Sequence, residues 1–167
     1  MVQSYYDNTG LYRKYGPDKA TPKVAGEYRT YGQLREIECK IDLTTISSSS
    51  ATPTILDDIA IVPKNARIQE VIVIGETAAT SSGNGTIDIG FVKTDRVTEL
   101  DYNGLVAAMA KTAVDTLGEQ NNITVGSTAA GALIGTTLTD TGNLTANTNT
   151  AGYQTGVLKV KVRYYIP

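Results

Sequence analysis

Residues 35–43 alternate without a break, with Ile37, Cys39, Ile41 and Leu43 on one side and Glu36, Glu38, Lys40 and Asp42 on the other. A period of two with one apolar face predicts a half-buried β-strand. The same rhythm returns at 158–166, where Leu158, Val160, Val162, Tyr164 and Ile166 alternate with Lys159, Lys161 and Arg163. The basic row of the second strand complements Glu36 and Glu38 of the first, and opposite charges attract across paired strands. The two strands are therefore expected to be neighbours.

Between them the pattern predicts more strands. Residues 54–62 read as a strand with a bulge or bend at Asp57-Asp58, and Pro63-Lys64-Asn65 marks a turn. Residues 66–75 follow as the most apolar strand, in which Val71, Ile72, Val73 and Ile74 fill both faces. A strand apolar on both faces belongs at the centre of a sheet or in a contact between subunits, and these four residues are the predicted oligomer contact. After a small polar loop, Gly83-Asn84-Gly85 reads as a hairpin turn, and Ile87, Ile89 and Phe91 alternate with Thr86, Asp88 and Gly90. The block 59–90 thus predicts one long hairpin whose second limb is half-buried.

Residues 101–113 are the one helix candidate, since Asp101 can cap and Leu105, Val106 and Met109 fall at helical spacing. Weak strands are expected at 123–125, 132–138 and 143–146, with 147–152 as loop. Seven or eight short strands without a βαβ rhythm predict an all-β fold, an antiparallel β-sandwich with one short helix, and adjacent outermost strands make it jelly-roll-like. Residues 1–33 stand apart. Tyr5, Tyr6, Tyr12, Tyr15, Tyr28 and Tyr31 sit among glycines and prolines, with Arg13 and Lys14 between them, and no strand or helix period holds. This composition describes either an extended N-terminal arm that gains order on another surface or a disordered leader. The expected division is an arm at 1–33 and a sandwich domain at 34–167.

Composition closes several function classes. The 167 residues include one Phe, no Trp and a net charge of −2, too little positive charge for nucleic acid or an anionic membrane. No apolar run approaches the ~20 residues of a membrane span, and the start lacks the pattern of a signal peptide, which points to a cytoplasm-like compartment. The chain has no histidine, and hence neither the commonest general acid/base nor the commonest metal ligand. Cys39, in phase with Ile37 and Ile41, reads as a small core residue with no base to activate it. Asp57, Asp58, Asp88, Glu99 and Asp101 are the acids nearest to loop sites, but their spacing matches no metal loop, and they read as solvated or capping groups. Gly83-Asn84-Gly85 lacks the following helix and Lys-Ser/Thr pair of a phosphate cradle. No catalytic, cofactor-binding or metal-ligating residue is predicted.

The order Ile41-Asp42-Leu43-Thr44, then 61–68 running into Val71-Ile72-Val73, then Thr86-Ile87-Asp88-Ile89-Gly90, then Ala151-Gly152 ahead of 157–165 resembles the capsid decoration (cement) proteins and related small virion structural proteins of tailed bacteriophages. The resemblance covers roughly residues 34–167. It implies a non-enzymatic sandwich, often a homotrimer, assembled in the host cytoplasm onto the outer surface of the virion head, with the major capsid protein as partner and no cofactor. In that setting Tyr5, Tyr6, Tyr12, Arg13, Lys14, Tyr15, Tyr28 and Tyr31 would form the capsid-binding arm, a segment outside the group's core pattern. The alternative reading is a carbohydrate- or receptor-binding module of a fibre or baseplate, which would need exposed aromatics such as Tyr102 or Tyr153.

Overall fold

Alternating β-branched and aliphatic residues dominate this sequence, and they form sheets wherever two apolar faces can meet. The computed structural model describes residues 3–6, 12–15, 34–48, 52–56, 60–149 and 151–166. The chain divides into two units, Met1–Thr30 and Tyr31–Pro167. In the first, β1 (Gln3–Tyr6) and β2 (Tyr12–Tyr15) pair antiparallel, with Tyr5 opposite Arg13 and Tyr6 opposite Tyr12. Pattern analysis finds no strand here because neither segment carries an aliphatic residue to alternate.

Among the described residues the second unit holds nine strands. These are β3 (Arg35–Asp42), β4 (Thr54–Ile55), β5 (Ile61–Val62), β6 (Arg67–Ser81), β7 (Thr86–Lys93), β8 (Glu99–Ala110), β9 (Gln120–Ile123), β10 (Gly142–Asn149) and β11 (Tyr153–Tyr165). One sheet has the order β3-β11-β6-β9, and the other β4-β10-β7-β8 with β5 also on β10. Their inner faces share one core, to which Cys39, Ile41, Val71, Val73, Val160 and Val162 contribute from the first sheet and Ile87, Ile89, Phe91, Leu105, Leu144 and Ala146 from the second. Apart from β4–β5 and β7–β8, every step along the chain from β3 onward changes sheet. That alternation is the double Greek key of a jelly roll.

The expected pairing of the two clearest strands is present: β11 runs antiparallel to β3, with Val160 opposite Cys39 and Arg163 opposite Glu36. Several expectations are corrected. The block 59–90 is not a hairpin, because β6 pairs with β11 and β9 while β7 pairs with β10 and β8. The turn at 82–85 carries the chain from one sheet to the other, and β7 is buried on both faces rather than one. Residues 132–138 form turns rather than a strand, and β10 is a full central strand rather than a weak one.

The expected helix at 101–113 is the strand β8 followed by a single 3-10 turn at Lys111–Ala113. Its helix-like spacing comes from two irregularities. Ile87 and Ile89 face Met109 and Val106, so β8 carries one extra residue there, and Ala108 takes the positive φ of 49° at that bulge. Ile89 and Phe91 face Val106 and Asp101, which inserts three more. Stretching a period of two in this way spaces Leu105, Val106 and Met109 as a helix would. The inserted segment is held by residues 129–133, which accept the Ala107 N–H and donate to the Leu105 and Gly104 carbonyls.

Candidate functional site

Each sheet has an outer face, and they differ. On the first sheet β3, β11 and β6 turn Glu36, Glu38 and Lys40, then Lys159, Lys161 and Arg163, then Glu70 and Glu76 outward, and alternation puts opposite charges side by side. Lys161 reaches Glu36 at 3.1 Å and Glu38 at 3.2 Å, Lys159 reaches Glu76 at 3.0 Å, and Arg163 reaches Glu36 at 2.7 Å and Glu70 at 2.6 Å. Lys40 joins Glu76 at 2.7 Å. Arg163 and then Lys161 hold the Glu36 carboxyl below the usual carboxylate range by donating to its charged form. Lys40 and Lys159 do the same for Glu76. This face satisfies its charges within one chain.

Val71, Ile72, Val73 and Ile74 lie in β6 beneath and within this ladder. Val71 and Val73 are fully buried in the core, and Ile72, opposite Lys161 in register, is 5% exposed. Ile74 is half-buried. The two-faced apolar run is thus explained mainly by cover within the chain.

The outer face of the second sheet is polar but covered. Leu144 and Ala146 of β10 point inward, so Asn143, Thr145 and Asn147 point outward beside Asp88, Gly90 and Val92 of β7. Asn143, Thr145, Asn147 and Asp88 are nonetheless buried. Part of the cover is the inserted segment of β8, whose Asp101–Tyr102 backbone passes so close to Gly90 that a Cβ there would collide with the Asp101 carbonyl oxygen. Only glycine admits that approach. The Asp88 carboxylate accepts the Ala108 N–H at 2.6 Å, Asn147 Nδ2 at 3.4 Å and Asn149 Nδ2. It thereby anchors the β8 bulge. Three successive outward residues of β10 leave a buried oxygen without a partner: Asn143 Oδ1, Thr145 Oγ1 and Asn147 Oδ1. Such groups lose their hydration with nothing in exchange, which is why native proteins keep few of them.

A pocket of about 310 Å³ opens on this face. Its lining includes Pro53, Ile55, Val92 and Thr145 together with Arg96, Val97 and Tyr102. Arg96 and Val97 are carried by the tight turn between β7 and β8. The Lys93 N–H donates to Thr98 O at 2.8 Å, and the Asp95 carboxylate accepts both the Val97 and Thr98 N–H groups and the Thr98 hydroxyl. The Thr98 hydroxyl, followed by the Thr98 and Val97 N–H groups, lowers the Asp95 carboxyl to about 2. So pinned, the turn holds Arg96 at a φ of 62° and leaves Val97 79% exposed.

The residues singled out by sequence lie in separate elements or outside the described residues. Tyr5, Tyr6, Tyr12, Arg13, Lys14 and Tyr15 belong to the β1–β2 hairpin, while Tyr28 and Tyr31, like Asp57 and Asp58, lie outside the described residues. Glu99 and Asp101 open β8, where they accept the Tyr102 N–H at 3.4 Å and the Asn103 N–H at 3.2 Å. Asp88 is buried rather than solvated. Cys39 is a buried core residue, as its phase predicts. Tyr153 is buried with its hydroxyl on the Gly85 carbonyl at 3.1 Å, and burial pushes it up to about 12. It therefore offers no ring to a sugar. Among the described residues no group of three or more His, Cys, Asp or Glu could hold a metal ion.

Sequence reading misses Thr145, Asn147, Arg96 and the pocket. The signal for β10 was present, since residues 143–147 alternate polar and apolar positions, but the Asn/Thr composition imitates loop. Nothing in that alternation says its polar side would be roofed.

No family model and no curated protein matches the sequence. The fold does have counterparts. The chain is similar to one in the capsid of Ralstonia phage GP4, with a TM-score of 0.51 and 21% identity over 82% of this chain and 86% of that one. It is similar also to one in the cyanophage Pam1 capsid asymmetric unit, with a TM-score of 0.51 and 18% identity over 86% of this chain and 91% of that one. At these identities the likeness is one of fold, and it extends over nearly the whole length of the two capsid chains.

Proposed function

We propose that this chain is a non-enzymatic structural protein of a phage particle, a decoration protein seated on the outer surface of the head. The observation that carries the reading is the jelly roll shared with chains of two phage capsids across most of both partners. A sequence without histidine, whose single cysteine is buried, supports it. In this reading residues 1–33 attach to the major capsid protein through Tyr5, Tyr6, Tyr12, Arg13, Lys14, Tyr15, Tyr28 and Tyr31, and the protein acts as a homotrimer. Of the four apolar residues in β6, the two on the outer face, Ile72 and Ile74, would take part in any contact between copies.

Cryo-microscopy of purified particles, with mass spectrometry of their proteins, tests the assignment. Density for the sandwich on the outside of the head is the expected result. Absence from the particle, or copies on the tail alone, would sink it. Removing residues 1–33 is expected to lower occupancy on the head, and unchanged occupancy would place the attachment elsewhere.

A further inference from the structure

Asparagine precedes glycine at Asn84-Gly85 and at Asn103-Gly104. In such a pair the asparagine side-chain carbonyl carbon is one ring closure away from the next backbone nitrogen, and glycine, without a Cβ, leaves that nitrogen open to attack. The two sites are alike in exposure, with both asparagines exposed and both glycines buried. They differ in what holds the chain on the asparagine side, which must rotate for the ring to close. At Asn103 the preceding Asp101–Tyr102 backbone lies against Gly90, the Asn103 N–H donates to the Asp101 carboxylate at 3.2 Å, and the Asn103 carbonyl oxygen would strike a Cβ on Gly131. At Asn84 the hold is a three-residue turn, in which the Gly85 N–H donates to the Gly83 carbonyl at 3.0 Å. Ser82 and Gly83 are exposed, and a Cβ on Gly83 would make only an ordinary contact with Ala151. Among the described residues no hydrogen bond engages the Asn84 side chain.

We propose that Asn84 is a site of spontaneous covalent modification. The Gly85 backbone nitrogen attacks the Asn84 side-chain carbonyl carbon and gives up its proton to solvent. The side-chain amide takes a proton from solvent and leaves as ammonia. The cyclic imide that remains takes up one water at either carbonyl, giving aspartate or isoaspartate, so water is the sole co-reactant and nothing is oxidised or reduced. The product places a carboxylate on the exposed corner where the chain crosses between sheets, and isoaspartate also adds a carbon to the backbone just before Gly85. The Gly85 carbonyl accepts the Lys111 N–H and the Tyr153 hydroxyl, each at 3.1 Å, so the change reaches the end of β8 and the start of β11. The inference stands on this turn and does not depend on a place in a phage particle.

The test ages the full folded chain in mildly alkaline buffer and follows it by tryptic mass mapping. Cleavage after Lys and Arg leaves Asn84 as the one asparagine of 68–93 and Asn103 as the one asparagine of 97–111. Asn84 should convert about tenfold faster than Asn103, because its turn opens locally while the other segment is packed, and both isoaspartate and aspartate should form. In denaturant the two should convert at similar rates. Asn84→Gln, whose longer side chain does not close that ring readily, should leave 68–93 unchanged in mass. The amide NMR signals of Lys111 and Tyr153 should split on ageing in the wild-type chain and stay single in Asn84→Gln. Equal rates in the folded chain, no conversion of Asn84, aspartate as the sole product, a tenfold difference that persists in denaturant, or unsplit signals in the converted chain would each overturn the proposal.

Discussion

The two outer faces of this sandwich are both polar, yet they resolve their polarity in opposite ways. On the β3-β11-β6 face Glu and Lys/Arg alternate across strands, and each charge meets its opposite within the same chain. On the β10-β7 face the polar groups are short and uncharged apart from Asp88, they are covered, and three oxygens of β10 remain without a partner. A self-neutralised face gains little from a partner, because contact would strip water from ion pairs already made. On the first face charge pairing across strands fixes the register, and on the second the buried polar groups are matched only in part.

Perturbing each face in turn can break that contrast. The largest effect is expected at Gly90, where a side chain would meet the backbone of β8. Gly90→Val should destabilise the fold by about 3 kcal/mol or more, whereas Gly152→Ala, with nothing within 4 Å of the added carbon, should be nearly neutral in thermal unfolding. Similar unfolding temperatures for the two would mean that β8 does not roof the sheet. Asp88→Ala comes next. It strands the Ala108 N–H and two asparagine amides in a buried setting, at a cost of about 3 kcal/mol in chemical denaturation. Glu36→Ala on the other face should cost clearly less, and equal losses would erase the distinction between anchored and exposed carboxylates.

Acid should act on the first face. Glu36 and Glu76 have folded-state values below their ordinary ones, so their contribution is complete at neutral pH and is lost as pH falls through those depressed values. Asp95 extends the loss down to about pH 2. The melting temperature should therefore decline on acidification, and Glu36→Gln with Glu76→Gln should flatten the decline. A curve unchanged by the double substitution would show that the ladder is ornamental. The smallest effect belongs to Thr145→Val, which removes a hydroxyl without a partner and should change stability by less than about 1 kcal/mol, in the stabilising direction if at all. A clear loss of stability would reveal a partner for that hydroxyl and remove the orphan from the comparison.

These faces were not equally legible in the sequence. The first was readable residue by residue, because uninterrupted alternation in 35–43 and 158–166 states both the buried side and the charge pairing. The second was hidden by its irregularities. The bulge at Ala108 and the insertion at 102–105 changed the apolar spacing of β8 from two to three and four, and the Asn and Thr residues of β10 imitate loop composition. The hairpin expected at 59–90 failed for another reason: alternation reports which side of a strand is buried, not which strand lies beside it. The pocket depends on residues 53, 55, 92, 96 and 145, which only the sheet crossings bring together.

Those crossings also bear on how the chain acquires its shape. Arg35 pairs with Tyr164 and Asp42 with Val157, so β3 has no β-partner among the described residues until β11 has been synthesised, and β6 lacks one neighbour for as long. Contacts this distant in sequence make folding slow, and the waiting strands present unpaired backbone in the interval. The alternating charges of β3 then have a second use, since an edge that carries Glu36, Glu38 and Lys40 is a poor template for association with another nascent chain.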